Sequence, residues 1–590
     1  MCGFSGELAI NATVDPVALA RMTDTLAHRG PDASGLFVQD HIGVGHRRLS
    51  ILGLNAASQQ PLLDPSLGLG VVFNGCIYNF RELRQELEGL GYRFFSDGDT
   101  EVVLKAFAAW GPDCVKRFYG MFAFGVWERD SGRLTLARDR LGIKPLYLTE
   151  QGGKIRFAST VRALLAGGGV DVSIDPEALH YFLSLHALVP APLTILKGVR
   201  KLPPATILTI EPDGSRKEEV YWTLSVGERP EDSRITEAEW RGQVLDTLRL
   251  AVRRRLVSDV PTGILLSGGL DSSLIVALLS DMAGQIPDTF SIGFDTVDDI
   301  AGDEFAYSDL IARQFGTRHH RLRIDAGRTL DALPGAVAAM SEPMMSHDAV
   351  GFYLLSQEVA EHVKVVQSGQ GADEIFAGYH WYAKLVGSKN PAADYAKVYF
   401  DRDHDEMKAV LNPDLVSRDF SRQFVEAYFN AVPSASPVDK ALQLDTLIML
   451  VDDPVKRVDN MTMAWGLEAR VPFLDHDVVE LAARIPASLK VGNGGKYILK
   501  EAARQVLPAE VIDRPKGYFP VPALKYIRGP FLDFVRDLLG GGAARNRGIF
   551  RQGYVEKLLA NPDGELTPKG NSKLWQIAVL ELWLQSHGIR

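Results

Sequence analysis

The chain has 590 residues, and its 64 basic and 74 acidic side chains give a net charge of −10 at pH 7. This length exceeds the ~250–300 residues at which a single hydrophobic core stops growing, so we expect more than one domain. The acidic balance argues against a nucleic-acid backbone as partner. Three cysteines are too few for a disulfide framework, which favours a reducing compartment.

Signals for export or membrane insertion are not found in the sequence. No N-terminal segment joins a basic region to an apolar one, and no apolar run approaches the ~20 residues that span a bilayer. We therefore expect a cytoplasmic protein that acts on small molecules, with no nucleic-acid or membrane partner. The sequence leaves a homodimer open.

The first half is expected to be rich in β-structure, covered by a few helices. Residues 2–10 predict a strand, and Asp15-Pro16 predicts a helix start, since a capping residue precedes proline at the first helical position. Val71–Phe73 predicts another strand, and Asn74-Gly75 directly after it is a turn signal. Alternation over residues 122–137 predicts a hairpin.

The second half has a different pattern. Strand-like runs alternate there with helical patterns, which is typical of βαβ units around a mostly parallel sheet. The polar stretch 211–240 is the predicted linker between a domain of residues 2–210 and a domain of residues 241–590. The candidate strands are Gly263–Leu266, Asp288–Phe294, Arg318–Ile324 and Val363–Gln367.

One glycine loop organises this second half. The strand Gly263–Leu266 stops at Ser267–Ser273, and a helical pattern follows for which Ser272 or Ser273 is a plausible N-cap. Such a loop gathers backbone N–H groups at a helix N-terminus, where an anion is favoured. It is not a Walker A sequence, because no Gly-Lys-Ser/Thr ends it. Asp271 and a phosphate are both anions, so an acid at this position favours a Mg²⁺ ion between them. A Gly-Gly pair alone would be interpreted as a plain turn between a strand and a helix. The whole stretch Ser267–Ser273, however, resembles the pyrophosphate-binding loop of ATP-pyrophosphatases.

Cys2 is a candidate nucleophile. Removal of the initiator methionine leaves it a free α-amine, whose reference pKa of ~7.7–8.0 lies close to neutrality. That amine can act as general base for the thiol of its own residue. Asn74 and Gly75 would supply an amide side chain and a backbone N–H for an oxyanion. Taken alone, a cysteine at this position is more often an ordinary N-terminal residue.

Ordered motifs run along essentially the whole chain. They are Met1–Gly3, His28–Asp32, Gly45–Ser50, Asn74–Asn79, Gly98–Glu101, Gly120–Phe124, Ala137–Tyr147, Ser267–Ser273, Ser368–Glu374, Trp465–Asp475 and Gly495–Glu501. Together they resemble the glutamine-dependent asparagine synthetases. The resemblance implies an α+β N-terminal nucleophile (Ntn) hydrolase glutaminase domain, followed by an α/β ATP-pyrophosphatase synthetase domain of the PP-loop, adenine nucleotide alpha hydrolase-like class.

This resemblance implies two coupled sites. Cys2 would release ammonia from glutamine, assisted by Asn74 and Gly75. Arg48 would hold the α-carboxylate of glutamine and Asp99 its α-amine, which suits a guanidinium fork and an anion. The other implied glutamine contacts are Leu49, Ser50, Ile51 and Cys76.

At the second site ATP would activate a carboxylate acceptor as an acyl-adenylate, and ammonia arriving inside the protein would displace AMP. Lys496 matches a lysine that stabilises charge in these steps, and Asp271 and Asp373 match Mg²⁺ ligands. Without the resemblance, Lys496 would be interpreted as a surface lysine and Asp373 as a turn residue. The implied ATP contacts are Leu266, Ser267, Gly268, Gly269, Asp271, Ser272, Ile292, Ser368 and Gly369.

Two positions depart from the family pattern. The family usually has glutamate where Cys76 stands, and that acid helps to hold the α-amine of glutamine. Asparagine synthetases have glutamate at the acceptor side, where this chain has Gln370, so a different acceptor is expected. The stretches Leu188–Pro192, Lys201–Thr206, Ser341–Asp348 and Val451–Asn460 resemble the N-acetylglutaminylglutamine amidotransferase branch, whose capped dipeptide acceptor has no free α-amine.

Several alternatives stay open at this point. The chain could be an asparagine synthetase that acts on aspartate, a ring-closing enzyme of the β-lactam synthetase kind, or an inactive nucleotide or glutamine sensor. Cys2 argues against ring closure, which needs no ammonia, and the intact acids and Lys496 argue against a sensor. His319-His320 is expected to be structural, because adjacent strand side chains face opposite ways. Arg514–Pro520 is either a basic loop near the nucleotide or a surface turn.

Overall fold

The computed structural model describes residues 2–283, 286–295, 302–432, 435–515, 517 and 527–589. Its first half contains twelve strands in two antiparallel sheets. The strands are β1 (Cys2–Ala9), β2 (Ala33–Gln39), β3 (Ile42–Arg48), β4 (Leu62–Asp64), β5 (Leu69–Ile77), β6 (Gly120–Glu128), β7 (Leu134–Arg138), β8 (Tyr147–Gln151), β9 (Lys154–Ala158), β10 (Arg200–Lys201), β11 (Thr206–Ile210) and β12 (Arg216–Val220). The helices are α1 (Pro16–Asp24), α2 (Phe80–Gly89), α3 (Asp99–Trp110), α4 (Val161–Gly167) and α5 (Pro176–Ser184).

The two sheets of the first half pack face to face. One has the order β10-β8-β9-β1-β3-β2 and the other β12-β11-β7-β6-β5-β4. Apolar side chains of both, including Phe4, Val72, Leu136 and Phe157, form the core between them. Helices α2 and α3 cover the outer face of the second sheet. The result is a four-layer sandwich with β1, and therefore Cys2, near the middle of its sheet.

One expectation for this half is corrected. Asn74-Gly75 is not a turn but lies inside β5, where nine residues pair with β6. A Cβ on Gly75 would come within 2.2 Å of the Met121 carbonyl oxygen, so glycine is required there by the close approach of the neighbouring strand. Within the stretch predicted as a linker, Arg216–Val220 forms the edge strand β12, whose largely exposed side chains explain its polar composition.

The second half is built on a five-stranded parallel sheet of order β15-β14-β13-β16-β17. Its strands are β13 (Thr262–Leu265), β14 (Asp288–Phe294), β15 (Arg318–Ile324), β16 (Val365–Gln367) and β17 (Glu468–Arg470). The first four agree with the predicted strands to within two residues, whereas β17 was not predicted. The chain order reverses between β13 and β16, and ligands bind at such a switch point.

Helices cover both faces of this sheet and extend to the C-terminus. The helix after β13 begins at Leu270, two residues before the expected cap, and Ser272 instead accepts a hydrogen bond from the Ser267 N–H at 3.2 Å. None of the described helices is both long and apolar enough to cross a bilayer. The helices are α6 (Glu237–Arg254), α7 (Leu270–Ala283), α8 (Phe305–Phe315), α9 (Ala326–Ala339), α10 (Asp348–Val359), α11 (Ala372–Ile375), α12 (His380–Ala383), α13 (Pro391–Tyr399), α14 (His404–Val410), α15 (Phe420–Asn430), α16 (Pro437–Leu444), α17 (Lys456–Met463), α18 (His476–Arg484), α19 (Ala487–Val491), α20 (Tyr497–Ala503), α21 (Ala509–Ile512), α22 (Pro530–Gly540), α23 (Gly542–Arg547), α24 (Gln552–Ala560) and α25 (Lys573–Ser586).

Buried ion pairs join the two halves. Asp459 on α17 accepts hydrogen bonds from Arg29 at 2.9 Å and from Lys144 at 3.1 Å, and all three side chains are buried. Removing one member of such a group leaves a buried charge without its partner, which is strongly destabilising. The halves are therefore docked through matched charges as well as apolar packing.

Candidate active sites

A small pocket surrounds Cys2 at the start of β1. Seven of the residues predicted to bind or cleave glutamine line it: Cys2, Arg48, Leu49, Ile51, Gly75, Cys76 and Asp99. Two predicted residues do not. The Ser50 N–H is bonded to the Asp32 carboxylate at 2.7 Å, and Asn74 is not among the residues that line the pocket.

Asn74 contacts Cys2 directly. Its side-chain oxygen accepts a hydrogen bond from the Cys2 backbone nitrogen at 3.1 Å. Its side-chain nitrogen is buried and has no hydrogen-bond partner among the described residues. Because an unpaired buried donor is costly, such a group is suited to a ligand oxygen that arrives with the substrate. This geometry fits the predicted oxyanion donor.

Electrostatics around Cys2 require a base close to the thiol. Burial raises the pKa of the Cys2 thiol, although nearby Arg48 and a hydrogen bond from the Leu49 backbone lower it. A thiol of raised pKa forms little thiolate at neutral pH, so a proton acceptor must lie beside it. The nitrogen of Cys2 itself, which would become an amine when Met1 is removed, meets this need.

Arg48 also holds the loop that covers the pocket. Its guanidinium donates to the backbone oxygens of Asn55 at 3.1 Å, Leu52 at 3.2 Å and Gly53 at 2.5 Å. These bonds use three of the five N–H groups of the side chain. These bonds leave the Nε–H and one Nη1–H, which lie on different edges of the guanidinium, so Arg48 can donate one hydrogen bond to a carboxylate rather than a fork.

Two acidic side chains in the pocket have opposite shifts in pKa. Burial raises the pKa of Asp99 to about 6, against a hydrogen bond from the Ile77 N–H at 3.0 Å. Burial would also raise the pKa of Glu468, but neighbouring positive charges, Arg470 among them, lower it to about 2. Glu468 is therefore ionised at every physiological pH, whereas Asp99 becomes ionised only above about pH 6.

Glu468 and Arg470 were not predicted as site residues. Both lie on β17 in the second half of the chain, and their side chains pair at 2.5 Å. The Arg470 guanidinium also approaches the Cys76 sulfur at 3.6 Å, where the family usually has an acid. Both residues belong to the motif Trp465–Asp475, which is part of the family resemblance. Nothing in the sequence indicated that it lies against the pocket of the first half.

A second cavity opens at the switch point of the parallel sheet. Eight of the nine predicted ATP contacts line it, and so does Gln370. Gly268 is the exception: it has φ +75°, and a Cβ there would lie 2.6 Å from the Ser308 nitrogen. The lining residues include Leu266, Ser267, Gly269, Asp271, Ser272, Ile292, Ser368 and Gly369.

The two glycine loops of this cavity touch each other. A Cβ on Gly369 would lie 2.9 Å from the Ser272 nitrogen, so only glycine fits between the loops. The Ser368 N–H donates to the Arg470 carbonyl oxygen at 2.8 Å. Strand β17 thus contacts the nucleotide cavity through its backbone and the Cys2 pocket through its side chains.

Lys496 lies between the two acids that were predicted to bind Mg²⁺. Its Nζ is 2.7 Å from the Asp271 carboxylate and 3.0 Å from the Asp373 carboxylate. Burial lowers the pKa of Lys496, but the two carboxylates raise it by more, so the lysine is charged. Lys496 itself has φ +55°, a backbone conformation that costs a non-glycine residue about 1–3 kcal/mol. Such strain is typical of functional positions.

The donor set of Asp271 and Asp373 suits a hard divalent cation. The two carboxylates lie in the first turns of α7 and α11, directly after the two glycine loops, and face the same point, which Lys496 occupies here. Oxygen ligands of this type, together with substrate phosphates, are those that Mg²⁺ prefers.

The sequence did not decide whether Arg514 belongs to a loop near the nucleotide or to a surface turn. In the structure its side chain lies beside this cavity. Its guanidinium pairs with Glu304 at 2.9 Å and stacks on Tyr307. A methyl group on Gly269 would lie 3.8 Å from it. Residues 516 and 518–520 of that stretch lie outside the described residues. The histidines His319 and His320 bond to neighbouring strand residues, in agreement with a structural role.

Comparison with known proteins gives the family. Residues 243–585 match the asparagine synthase family and residues 1–222 match a glutamine amidotransferase domain. The chain belongs to the glutamine-hydrolysing asparagine synthetase family. It is therefore a glutamine-dependent amidotransferase ligase, and ATP use is consistent with this family. The predicted fold class is confirmed: an Ntn-type glutaminase domain precedes a PP-loop synthetase domain. The domain limits stay a prediction.

Full-length relatives support this membership. Asparagine synthetase [glutamine-hydrolyzing] 1 of Bacillus subtilis is 32% identical, over 99% of this chain and 96% of its own. Asparagine synthetase [glutamine-hydrolyzing] 3 of the same organism is 32% identical, over 88% of this chain and 87% of its own. An amidase of Penicillium rubens is 28% identical over 88% of this chain and 87% of its own. Relatives of this length thus carry more than one name.

Proposed function

We propose that this amidotransferase transfers the amide nitrogen of glutamine to a capped dipeptide of the N-acetylglutaminylglutamine type. The products would be the amide, AMP, pyrophosphate and glutamate. The observation that carries the acceptor is Gln370 in the wall of the nucleotide cavity, where asparagine synthetases have glutamate. An acceptor without an α-ammonium group needs no anion there. Asparagine synthesis from aspartate is the second candidate, supported by the relatives from Bacillus subtilis.

The glutaminase step is proposed to begin at Cys2. Its α-amine takes the thiol proton, and the thiolate attacks the amide carbon of glutamine. The side chain of Asn74 and the backbone of Gly75 stabilise the oxyanion. The proton then passes to the leaving nitrogen, which departs as ammonia, and water cleaves the thioester to give glutamate. Arg48 holds the α-carboxylate of glutamine, and Leu49, Ser50 and Ile51 form the adjoining wall.

The α-amine of glutamine is proposed to lie between two carboxylates. Asp99 is one, and Glu468 takes over the charge that the family usually places at position 76, where this chain has the neutral Cys76. The pKa of Glu468 of about 2 keeps that charge present. Because Glu468 lies on β17, the donor site is complete only when the second half is docked.

In the synthetase step the acceptor carboxylate attacks the α-phosphorus of ATP and pyrophosphate leaves. The two glycine loops Ser267–Ser272 and Ser368-Gly369 surround the phosphates at the N-terminus of α7, where an anion is favoured. Asp271 and Asp373 would hold Mg²⁺, which supplies charge neutralisation of the phosphates. Lys496 stabilises the developing negative charge. Ammonia, delivered inside the protein from Cys2, then attacks the acyl carbon and displaces AMP.

The stretches that carry the narrower resemblance come together in space. The Lys201 ammonium lies 2.9 Å from Glu342 and 2.7 Å from Asp452. Arg457 donates to the Ser346 hydroxyl at 2.5 Å. The stretches 201–206, 341–348 and 451–460, far apart in sequence, therefore share one buried polar cluster, which supports treating them as one specificity feature.

Acceptor choice is tested by pyrophosphate release with glutamine, ATP and Mg²⁺. We expect turnover with N-acetylglutaminylglutamine and none above background with aspartate. Turnover with aspartate alone would establish the second candidate instead. Absence of pyrophosphate release with any carboxylate acceptor would favour an inactive sensor and overturn the proposed activity.

Replacement of Gln370 by glutamate tests the residue itself. We expect Gln370→Glu to lower kcat/KM for the dipeptide by roughly tenfold or more, since a half-buried anion without a partner costs about 1–3 kcal/mol. Gln370→Ala is the matched control, because it removes the amide without adding charge. Equal dipeptide kinetics in Gln370→Glu and the wild type would contradict the assignment of Gln370 to the acceptor.

Besides the ionisation of the Cys2 amine, Asp99 adds a second ionisation to the pH dependence of glutamine use. Its pKa is raised to about 6, so the anion that binds ammonium is present above that pH and lost below it. We expect Asp99 to add a further fall of about tenfold in kcat/KM for glutamine per pH unit below about 6, beyond the fall caused by protonation of the Cys2 amine, because this parameter reports the free enzyme. Asp99→Asn should have a lower kcat/KM and should lose this additional fall. If kcat/KM for glutamine falls at low pH in Asp99→Asn as it does in the wild type, the group that titrates is not Asp99.

A further inference from the structure

A group of metal-binding side chains lies away from both pockets, where the first half of the chain meets the second. His180 belongs to α5, His404 is the first residue of α14, and Asp419 directly precedes α15. Their donor atoms all lie within 4.8 Å of one another. His180 Nε2 is 3.1 Å from His404 Nδ1 and 3.9 Å from an Asp419 oxygen. Neither proposed reaction uses these residues.

The hydrogen bonds of His180 show which ring nitrogen is available. Its Nδ1 is 2.7 Å from the Ser421 hydroxyl, and that hydroxyl donates to the His180 carbonyl oxygen at 3.4 Å. In the tautomer that suits both contacts, Nδ1 donates to the Ser421 hydroxyl, and the lone pair of Nε2 faces His404 and Asp419. Metal-bound histidines usually donate their second N–H in this way.

The three side chains differ in exposure, and His180 is the buried one. His404 and Asp419 are partly exposed, so an ion can enter from solvent and retain a water molecule.

We propose that His180 Nε2, His404 Nδ1 and Asp419 bind one Zn²⁺ ion, with water as the fourth ligand. Two nitrogens bound to tetrahedral zinc at 2.0–2.1 Å lie about 3.3 Å apart, close to the distance found here. The Asp419 carboxylate, with an oxygen 3.9 Å from His180 Nε2, has to move closer to reach the same ion. Imidazole ligands select zinc over magnesium.

The consequence of binding is a link between the two halves. Helix α5 comes from the first half, while α14 and α15 belong to the second. Their packing includes an edge contact between the rings of Tyr181 and Phe424, with centroids 5.5 Å apart. An ion held by all three segments would bind the folded, docked protein and not the unfolded chain. Zinc should therefore stabilise the docked arrangement by mass action.

The test uses the full-length protein, stripped with a chelator and dialysed against Zn²⁺ in excess Mg²⁺, which occupies the carboxylates near the ATP cavity. We expect one zinc per chain by elemental analysis and a higher melting temperature. Co²⁺ in place of zinc should give the visible absorption bands of tetrahedral cobalt.

Two variants localise the ion, and one control accounts for other histidines. Asp419→Asn keeps the side-chain oxygen that caps α15 through the Arg422 N–H at 3.0 Å, but removes the ligand charge. We expect the single variants Asp419→Asn and His404→Gln each to weaken zinc binding by at least about 10- to 100-fold. His362→Gln, an exposed histidine elsewhere, should bind as the wild type does.

Two results would overturn the proposal. The first is wild-type protein that retains much less than one zinc per chain, which would leave His180 and His404 as a plain hydrogen-bonded pair. The second is unchanged zinc affinity and cobalt spectrum in both Asp419→Asn and His404→Gln, with the folded state verified by circular dichroism, which would place the ion elsewhere.

Discussion

Cys2→Ala is expected to abolish glutamine-dependent amide formation while leaving ammonia-dependent formation close to that of the wild type. Without the thiol no thioester forms, so glutamate release should fall by at least about 10³-fold. The ATP cavity contains no part of β1, so the synthetase step should continue with ammonium salts as the nitrogen source.

The measurement is parallel quantification of glutamate and AMP with either nitrogen donor. Cys114→Ala is the matched control, because Cys114 is buried in another core cluster and does not line the Cys2 pocket. Equal loss of glutamine-dependent and ammonia-dependent activity in folded Cys2→Ala would contradict the two-site arrangement.

Lys496→Met is expected to have the opposite pattern. It removes the cation between Asp271 and Asp373 and the charge that stabilises adenylation, while preserving length and apolar packing. Amide formation with either donor should fall by about 10²–10³-fold, the loss typical for one electrostatic group. Glutamine hydrolysis at Cys2 should persist.

Lys500→Met provides the control, since it lies one turn further along α20 and donates to the backbone of Asn493. Pyrophosphate exchange into ATP, measured in the presence of acceptor, reports adenylation without the need for ammonia. Wild-type exchange in Lys496→Met would exclude this lysine from the adenylation step.

Local sequence patterns predicted the elements whose cause is local. Ser267–Ser273 has glycines and an apolar helix pattern in the order that a strand, loop and helix require. The parallel order of β13 and β16 then explains why Ser368-Gly369 joins the same cavity: both loops leave the carboxyl ends of neighbouring strands.

Features set by distant contacts were missed or wrong. Asn74-Gly75 has strong turn propensity, but pairing with β6 along the whole of β5 overrides it. Strand β17 has only three residues, too few for any periodicity. The role of Glu468 in the Cys2 pocket and the meeting of His180 with His404 both depend on docking between the halves, which no local pattern encodes.

The central claim, that one chain couples glutamine hydrolysis to ATP-driven amide synthesis, is tested most directly by a product balance with amide-¹⁵N glutamine. Glutamate, AMP, pyrophosphate and amide are measured in one reaction with ATP, Mg²⁺ and the capped dipeptide, in the presence of unlabelled ammonium. The account predicts equimolar products and ¹⁵N in the amide. Glutamate without AMP, or an amide that contains only unlabelled nitrogen, would contradict it.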